Sequence, residues 1–160
     1  MYHVIALGEL LIDFTTSGVS SSGMRLFEQN PGGAPANVLT ALSKFGCKTG
    51  FIGKVGDDMH GAFLKTTLEE QGINTKGLIV DPNVFTTLAF VELKDNGDRR
   101  FSFARKPGAD TCLRVDEIDN GDLSLTKVFH FGSLSLTNEP SRSATIAAIE
   151  GAKKAGAIIS

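Results

Sequence analysis

The sequence predicts an α/β protein: a mainly parallel sheet flanked by helices, with a smaller β layer attached. Two observations carry that expectation. Short apolar runs that suit buried strands alternate with segments of helical periodicity, which is the pattern of a parallel sheet. Outside that alternation, Asn96-Gly97 sits between two segments of period two and marks a β-hairpin. A chain of 160 residues is long enough for one domain with its own core.

The elements follow in order. Tyr2–Leu7 is a short apolar run and reads as a central strand. Leu10–Thr16 continues extended, Ser17–Gly23 reads as a loop, and Arg25–Gln29 is a candidate partner strand. Pro35–Phe45 reads as a helix with Val38, Leu42 and Phe45 at helical spacing and Leu39 and Ala41 beside them. Pro35 suits its first turn and Gly46 its stop. Thr49–Ile52 is a short strand. Asp57 or Asp58 caps the next helix, which runs to about Gln71 and buries Phe63, Leu64 and Leu68. Leu78–Val80 is again a strand. Thr86–Lys94 and Arg99–Arg105 form the hairpin arms, with Ala89, Val91 and Leu93 on one face of the first and Phe101 and Phe103 on one face of the second. An isolated hairpin is marginal in water, so this aromatic face is expected to cover something. Lys127–Gly132 reads as a core strand. Asn138-Glu139-Pro140 opens a helix that packs Ala144, Ala148, Gly151 and Ala155, and the last four residues begin a strand.

Composition narrows the function classes. A net charge of -2 gives no electrostatic case for nucleic acid or an anionic membrane. The chain contains no Walker A string and no run of transmembrane length. The opening residues lack a basic segment and meet Gly8-Glu9 too soon for a signal peptide. Cys47 and Cys112 are widely separated and form no metal-spaced pair. Two free thiols in a cytoplasmic protein are expected, with a disulfide as the other option.

Asn30–Gly56 is the most informative stretch. Gly32-Gly33 opens the first helix and Asn37 lies in its first turn. Helix N-termini leave N–H groups unpaired, and glycines let a ligand approach the backbone. A tight strand-to-helix turn with Asn37 as a cap accounts for the same residues. Asp13 lies just after the first strand, where a carboxylate can accept hydrogen bonds from adjacent hydroxyls; a turn-forming or solvated aspartate is the alternative.

Gly32, Gly33 and Asn37, followed by Ala41, Gly46, Gly53 and Val55-Gly56-Asp57-Asp58, resemble the N-terminal signature of the ribokinase-like (PfkB-type) carbohydrate kinases. Gly8-Glu9-Leu10-Leu11-Ile12-Asp13 resembles the segment in which that family carries its sugar-binding aspartate. Arg105-Lys106-Pro107-Gly108-Ala109-Asp110 points to the fructokinase branch. The resemblance implies a truncated ribokinase-like sandwich with a small β-sheet lid. Residues 1–160 would form the N-terminal part of one kinase domain, with lid strands inserted at about 10–30 and 86–105. It further implies that Asp13, Gly32, Gly33 and Asn37 bind a sugar, that the diglycine is a hinge, and that lid closure excludes water. Phe101 and Phe103 would line the sugar's apolar face or pack within the lid. Arg105 would reach the sugar or the transferred phosphoryl group, or remain solvated, and Lys106 is surface.

The family's second motif, G-A-G-D, is not in this sequence. The ATP-binding half and catalytic base are therefore expected outside it, and no catalytic residue within it. ATP and Mg²⁺ would be bound mainly by that other half, and Asp57-Asp58 is read as a cap, not a metal site. His3, His60 and His130 are isolated and read as structural, whereas Gly132-Ser133 follows a strand and borders the pocket. The expected activity is phosphoryl transfer from ATP to fructose, with this chain inactive alone and a homodimer through the lid an option. A kinase for a nucleoside or ketogluconate, or a non-catalytic sugar-binding module, are the alternatives. A dinucleotide-binding domain fits less well, because Gly32-Gly33-x-x-x-Asn37 is not G-x-G-x-x-G.

Overall fold

Two sheets organise the chain, seen in a computed structural model that describes residues 1–93 and 98–160. The first has five strands, β1 (Tyr2–Leu7), β4 (Thr49–Gly56), β5 (Asn74–Asp81), β8 (Thr126–Phe131) and β9 (Ile158–Ile159), in the order β5-β4-β1-β8-β9. Every pairing in it is parallel. The second has four, β2 (Leu11–Val19), β3 (Arg25–Gly32), β6 (Leu88–Leu93) and β7 (Arg99–Ala104), in the order β3-β2-β6-β7. It is mixed: β2 pairs antiparallel with β3 and parallel with β6, and β6 pairs antiparallel with β7. The Asp95-Asn96-Gly97 turn expected between β6 and β7 lies outside the described residues, as does Lys94.

The parallel sheet is buried on both faces because successive side chains alternate across a strand. Val4 and Ala6 join Leu39, Leu64 and Leu68 under α1 (Ala34–Lys44) and α2 (Met59–Glu70). Ile5 and Leu7 join Phe129, Ala144 and Ala148 under α4 (Ser141–Lys154), with Leu123 of the short helix α3 (Asn120–Leu123). Leu10 and Ile12 also belong to the first cluster, so the root of the second sheet is anchored in the core.

Several elements differ from expectation. β2 runs on to Val19, through residues expected to be loop, because Val19 still pairs with Arg25. The register shift between Thr16 and Val19 absorbs Gly18 at φ +106°, the signature of a bulge. On α1 the buried stripe is Pro35, Ala36 and Leu39, whereas Val38 is 38% exposed and Phe45, just past the last turn, 84%. Phe63 is partly exposed beside buried Leu64 and Leu68. Ala155 ends α4 and faces solvent, and the buried row is Ser141, Ala144, Thr145, Ala148 and Ala152. Short 3-10 turns at Ala109–Thr111, Val115–Glu117 and Ser133–Leu136 had no sequence signal.

Buried polar groups stitch these pieces together. The Lys54 ammonium, on β4, is fully buried and donates to Asp81 Oδ2 at 2.9 Å and Glu117 Oε1 at 2.7 Å. Asp58 caps α2, accepting from the N–H groups of His60 (3.0 Å) and Gly61 (2.9 Å). It also accepts from the Thr86 N–H at 2.8 Å and the Thr86 hydroxyl at 2.9 Å, which ties α2 to the segment entering β6. No helix among the described residues is long and apolar enough to cross a membrane.

Candidate functional site

The strand order reverses between β1 and β8, with β4 and β5 on one side and β9 on the other. In open parallel sheets ligands enter beyond the carboxyl ends of the strands at such a switch point. β1 ends at Leu7 and β8 at Phe131, so Gly8-Glu9 and Gly132-Ser133 border that crevice. Gly132 is buried and Ser133 exposed.

The diglycine enters the same region from the second sheet. Gly33 has φ +119°, a left-handed conformation, and stands at the N-cap of α1. A Cβ there would strike the Glu9 carbonyl oxygen. A Cβ on Gly32 would strike the Asp13 carboxylate, with Cγ at 2.9 Å. Each glycine therefore makes room for one acidic residue. Burial pushes the Asp13 carboxyl above its ordinary value. Asn37 is exposed in the first turn of α1. Gly32, Asn37, Pro31, Thr40 and Gln71 line a cavity of about 110 Å³ between α1 and α2. Gly32 thus adjoins the Asp13 carboxylate and lines the cavity with Asn37, while Asp13 itself is not among the lining residues.

Register places the aromatic residues. Asp13 pairs with Ala89, which pairs with Phe103, and Thr15 pairs with Val91, which pairs with Phe101. Cross-strand partners share a sheet face, so Asp13, Phe101 and Phe103 lie on one face of the four-stranded sheet. The two phenyl rings stack at 6.1 Å with an interplanar angle of 11°, and are 49% and 51% exposed.

Arg105 is placed differently. Its guanidinium grips Asp110, Nη2 on Oδ2 and Nε on Oδ1. The buried Asp110 carboxylate also accepts from the Thr87 hydroxyl. Arg105 thus ties the exit of β7 to the entry of β6. His60 packs edge-on against Phe14 and Phe85, and His3 Nδ1 accepts from the Lys48 N–H at 2.8 Å. A larger cavity, about 370 Å³, lies on the α4 side of the sheet beside Val115 and Ile118 and contains none of these residues.

Sequence reasoning passed over Glu9. It is 4% exposed, Oε1 accepts from the Ala34 N–H at 3.0 Å, and Oε2 has no partner. The available signal was a carboxylate directly after the first strand, next to a glycine and ahead of an apolar run.

Residues 1–159 match the pfkB family of carbohydrate kinases. The chain belongs to that family. Among pfkB proteins it is similar to "Probable fructokinase-5" of Arabidopsis thaliana, with 46% identity over 159 residues, 98% of this chain and 49% of that protein. The crystal structure of fructokinase from Xylella fastidiosa superposes with a TM-score of 0.92 at 38% identity, covering 99% of this chain and 50% of that one. The same fructokinase with bound ATP gives a TM-score of 0.91, covering 51% of that chain. This pfkB chain therefore spans about half the length of the relatives it matches. The fold is ribokinase-like, with the four-stranded sheet beside the parallel one.

Proposed function

We propose that this chain is the acceptor-binding half of a fructokinase-like enzyme that transfers the γ-phosphoryl group of ATP to a hydroxyl of fructose. The observation that carries the reading is the Asp13 carboxylate, lodged against Gly32 beside the start of α1 and on the sheet face that bears Phe101 and Phe103. A carboxylate and an amide suit alcohols: Asp13 accepts, while Asn37 both donates and accepts. The stacked phenyl rings offer an apolar surface to the C–H face of a sugar. Phosphoryl transfer is mostly positioning and charge stabilisation, and this half contributes the positioning. Lid closure at the diglycine keeps water from competing as acceptor. In its paired state Arg105 is a lid brace, and contact with the sugar or phosphoryl group requires exchange of Asp110 for the ligand.

No cluster of three His, Cys, Asp or Glu side chains that could hold a metal occurs among the described residues. Mg²⁺ would accompany ATP, held with it mainly by residues outside this chain. The chain alone should lack kinase activity. The exposed Leu26, Phe27 and Phe90 of the lid favour a homodimer through that sheet, and two unpaired, half-buried cysteines suit the cytoplasm.

Titration calorimetry with fructose, with and without ATP, tests the reading. Fructose should bind, and Asn37→Ala should weaken it about tenfold or more with no loss of melting temperature, since Asn37 is exposed and Ala favours helix. A nucleoside or ketogluconate that binds in preference to fructose would reassign the acceptor. ATP-dependent phosphorylation of fructose by this polypeptide alone would overturn the division of labour.

A further inference from the structure

We infer that Glu9 is a second acceptor for the polyol, its free Oε2 taking a hydrogen bond from a substrate hydroxyl opposite the one held by Asp13. The inference rests on the acceptor-binding reading above and extends it to a residue outside the predicted set.

A buried carboxylate oxygen without a donor is costly, and native structures leave few. Glu9 Oε2 is the one buried side-chain atom without a partner among the described residues. Neighbouring N–H donors are already used. Ala34 donates to Oε1 at 3.0 Å, Gly132 to the Leu7 carbonyl at 2.9 Å, and Gly8 to the Ile52 carbonyl at 3.1 Å. The donor for Oε2 must therefore come from beyond the described residues.

Location says which kind. A Cβ on Gly132 would come within 2.6 Å of Oε2 and 2.8 Å of Pro35 Cγ, so Oε2 is directed at the carboxyl end of β8. That is the switch-point crevice between β1 and β8. Its walls there are glycine and proline, with no cationic side chain among these contacts and no metal-binding cluster among the described residues. An uncharged donor fits, and a sugar alcohol held by Asp13 against Gly32 would lie next to the Gly33-Ala34 segment that Glu9 contacts.

Access follows from chain geometry. Glu9-Leu10 and Gly33-Ala34 are two crossings between the sheets, and they touch: a Cβ on Gly33 would meet the Glu9 carbonyl carbon at 3.0 Å and Leu10 Cα at 3.3 Å. Movement of the lid about Gly33 changes what covers Oε2. The diglycine then lies between two carboxylates, one for each side of the substrate.

Glu9→Gln separates this role from a purely structural one. The amide oxygen of Gln can still cap Ala34, so stability is retained while the charge-assisted bond to the substrate is lost. Fructose should bind about 5- to 20-fold more weakly with the melting temperature nearly unchanged. In the unmodified chain labelled with ¹³C at glutamate carboxyls, the Glu9 signal should shift on addition of fructose. This second readout holds whether or not the variant folds. If the unmodified chain binds fructose while its Glu9 signal stays fixed, the inference is overturned and the acceptor reading stands. Unaltered fructose affinity in Glu9→Gln has the same consequence. If the unmodified chain binds no sugar, both fall together.

Discussion

Gly32 and Gly33 are adjacent in sequence, yet alanine should have opposite consequences at the two positions. At Gly33 the backbone is at φ +119°, and the added Cβ meets the Glu9 carbonyl oxygen and carbon. A non-glycine residue in so sparsely populated a region costs about 1–3 kcal/mol. The obstacle is main chain and cannot rotate aside, so overpacking adds about 1–3 kcal/mol more. Gly33→Ala should therefore destabilise by about 2–6 kcal/mol, a large part of the ~5–15 kcal/mol available to a domain. At Gly32 the φ is not positive, and the atoms nearest the Cβ are the side-chain ends of Asp13 and Leu11. Those can turn away, so Gly32→Ala should cost about 1 kcal/mol or less in stability. It should instead evict the Asp13 carboxylate from its place and weaken fructose binding about tenfold or more. Urea denaturation gives the first quantity and calorimetry the second. Equal stability losses in the two variants, or a Gly33→Ala protein with the unmodified midpoint, would refute the reasoning.

Three further outcomes are expected. Asp81→Asn should cost about 3 kcal/mol in urea denaturation, because it strips a fully buried ammonium of one of two carboxylates; Lys54→Met should cost less. In the latter variant Asp81 keeps the Asn83 N–H at 2.9 Å and Glu117 keeps the Arg114 N–H at 2.8 Å. Stability should fall in acid. The Asn83 N–H and then Lys54 hold the Asp81 carboxyl below its ordinary value. Burial raises Asp58, but hydrogen bonds from Thr86, Gly61 and His60 outweigh it and hold Asp58 low as well. Each group contributes stability above the unfolded value of about 3.9 and loses it as pH falls through its folded value, so the thermal midpoint should drop in that acid window and not near neutrality. Fructose affinity should also fall in acid, but from a higher pH. Burial raises the Asp13 carboxyl, and its protonated form no longer offers a charged acceptor; Asp13→Asn should abolish that limb of the affinity profile.

The fold was legible where burial is symmetrical. β1 lies in the middle of a sheet covered on both faces, and a continuous apolar run is what such a position requires. Helix α1 was legible as a helix but not in its phase. Val38, Leu39, Ala41, Leu42 and Phe45 offer more than one apolar stripe, and contact with β1 and β4 selected the one through Ala36 and Leu39. The extension of β2 depended on a bulge, which local pattern does not report. In the candidate site, the need for glycine at 32 and 33 was legible because close approach between chain segments demands it. The pairing of Arg105 with Asp110, five residues on, was not legible; it satisfies both charges locally.

Three carboxylates govern how the two sheets are joined. Asp58 holds Thr86 at the entry to β6, Asp110 bridges Thr87 and Arg105 across the β6 entry and β7 exit, and Glu9 holds Ala34 at the start of α1. The crossing at Gly32-Gly33 has no side chain of its own; Asp13 against Gly32 and Glu9 on Ala34 supply its side-chain contacts. Any motion of the four-stranded sheet relative to the core should turn about Gly33, whose backbone already occupies a conformation open to glycine. Asp13, Phe101 and Phe103 lie on the four-stranded sheet, whereas Asn37 belongs to α1 and Glu9 follows β1. Under the acceptor-binding reading proposed above, a ligand that bridges those two sets would draw the sheets together, and its affinity should track the register of β2 against β6 as directly as it tracks any single side chain.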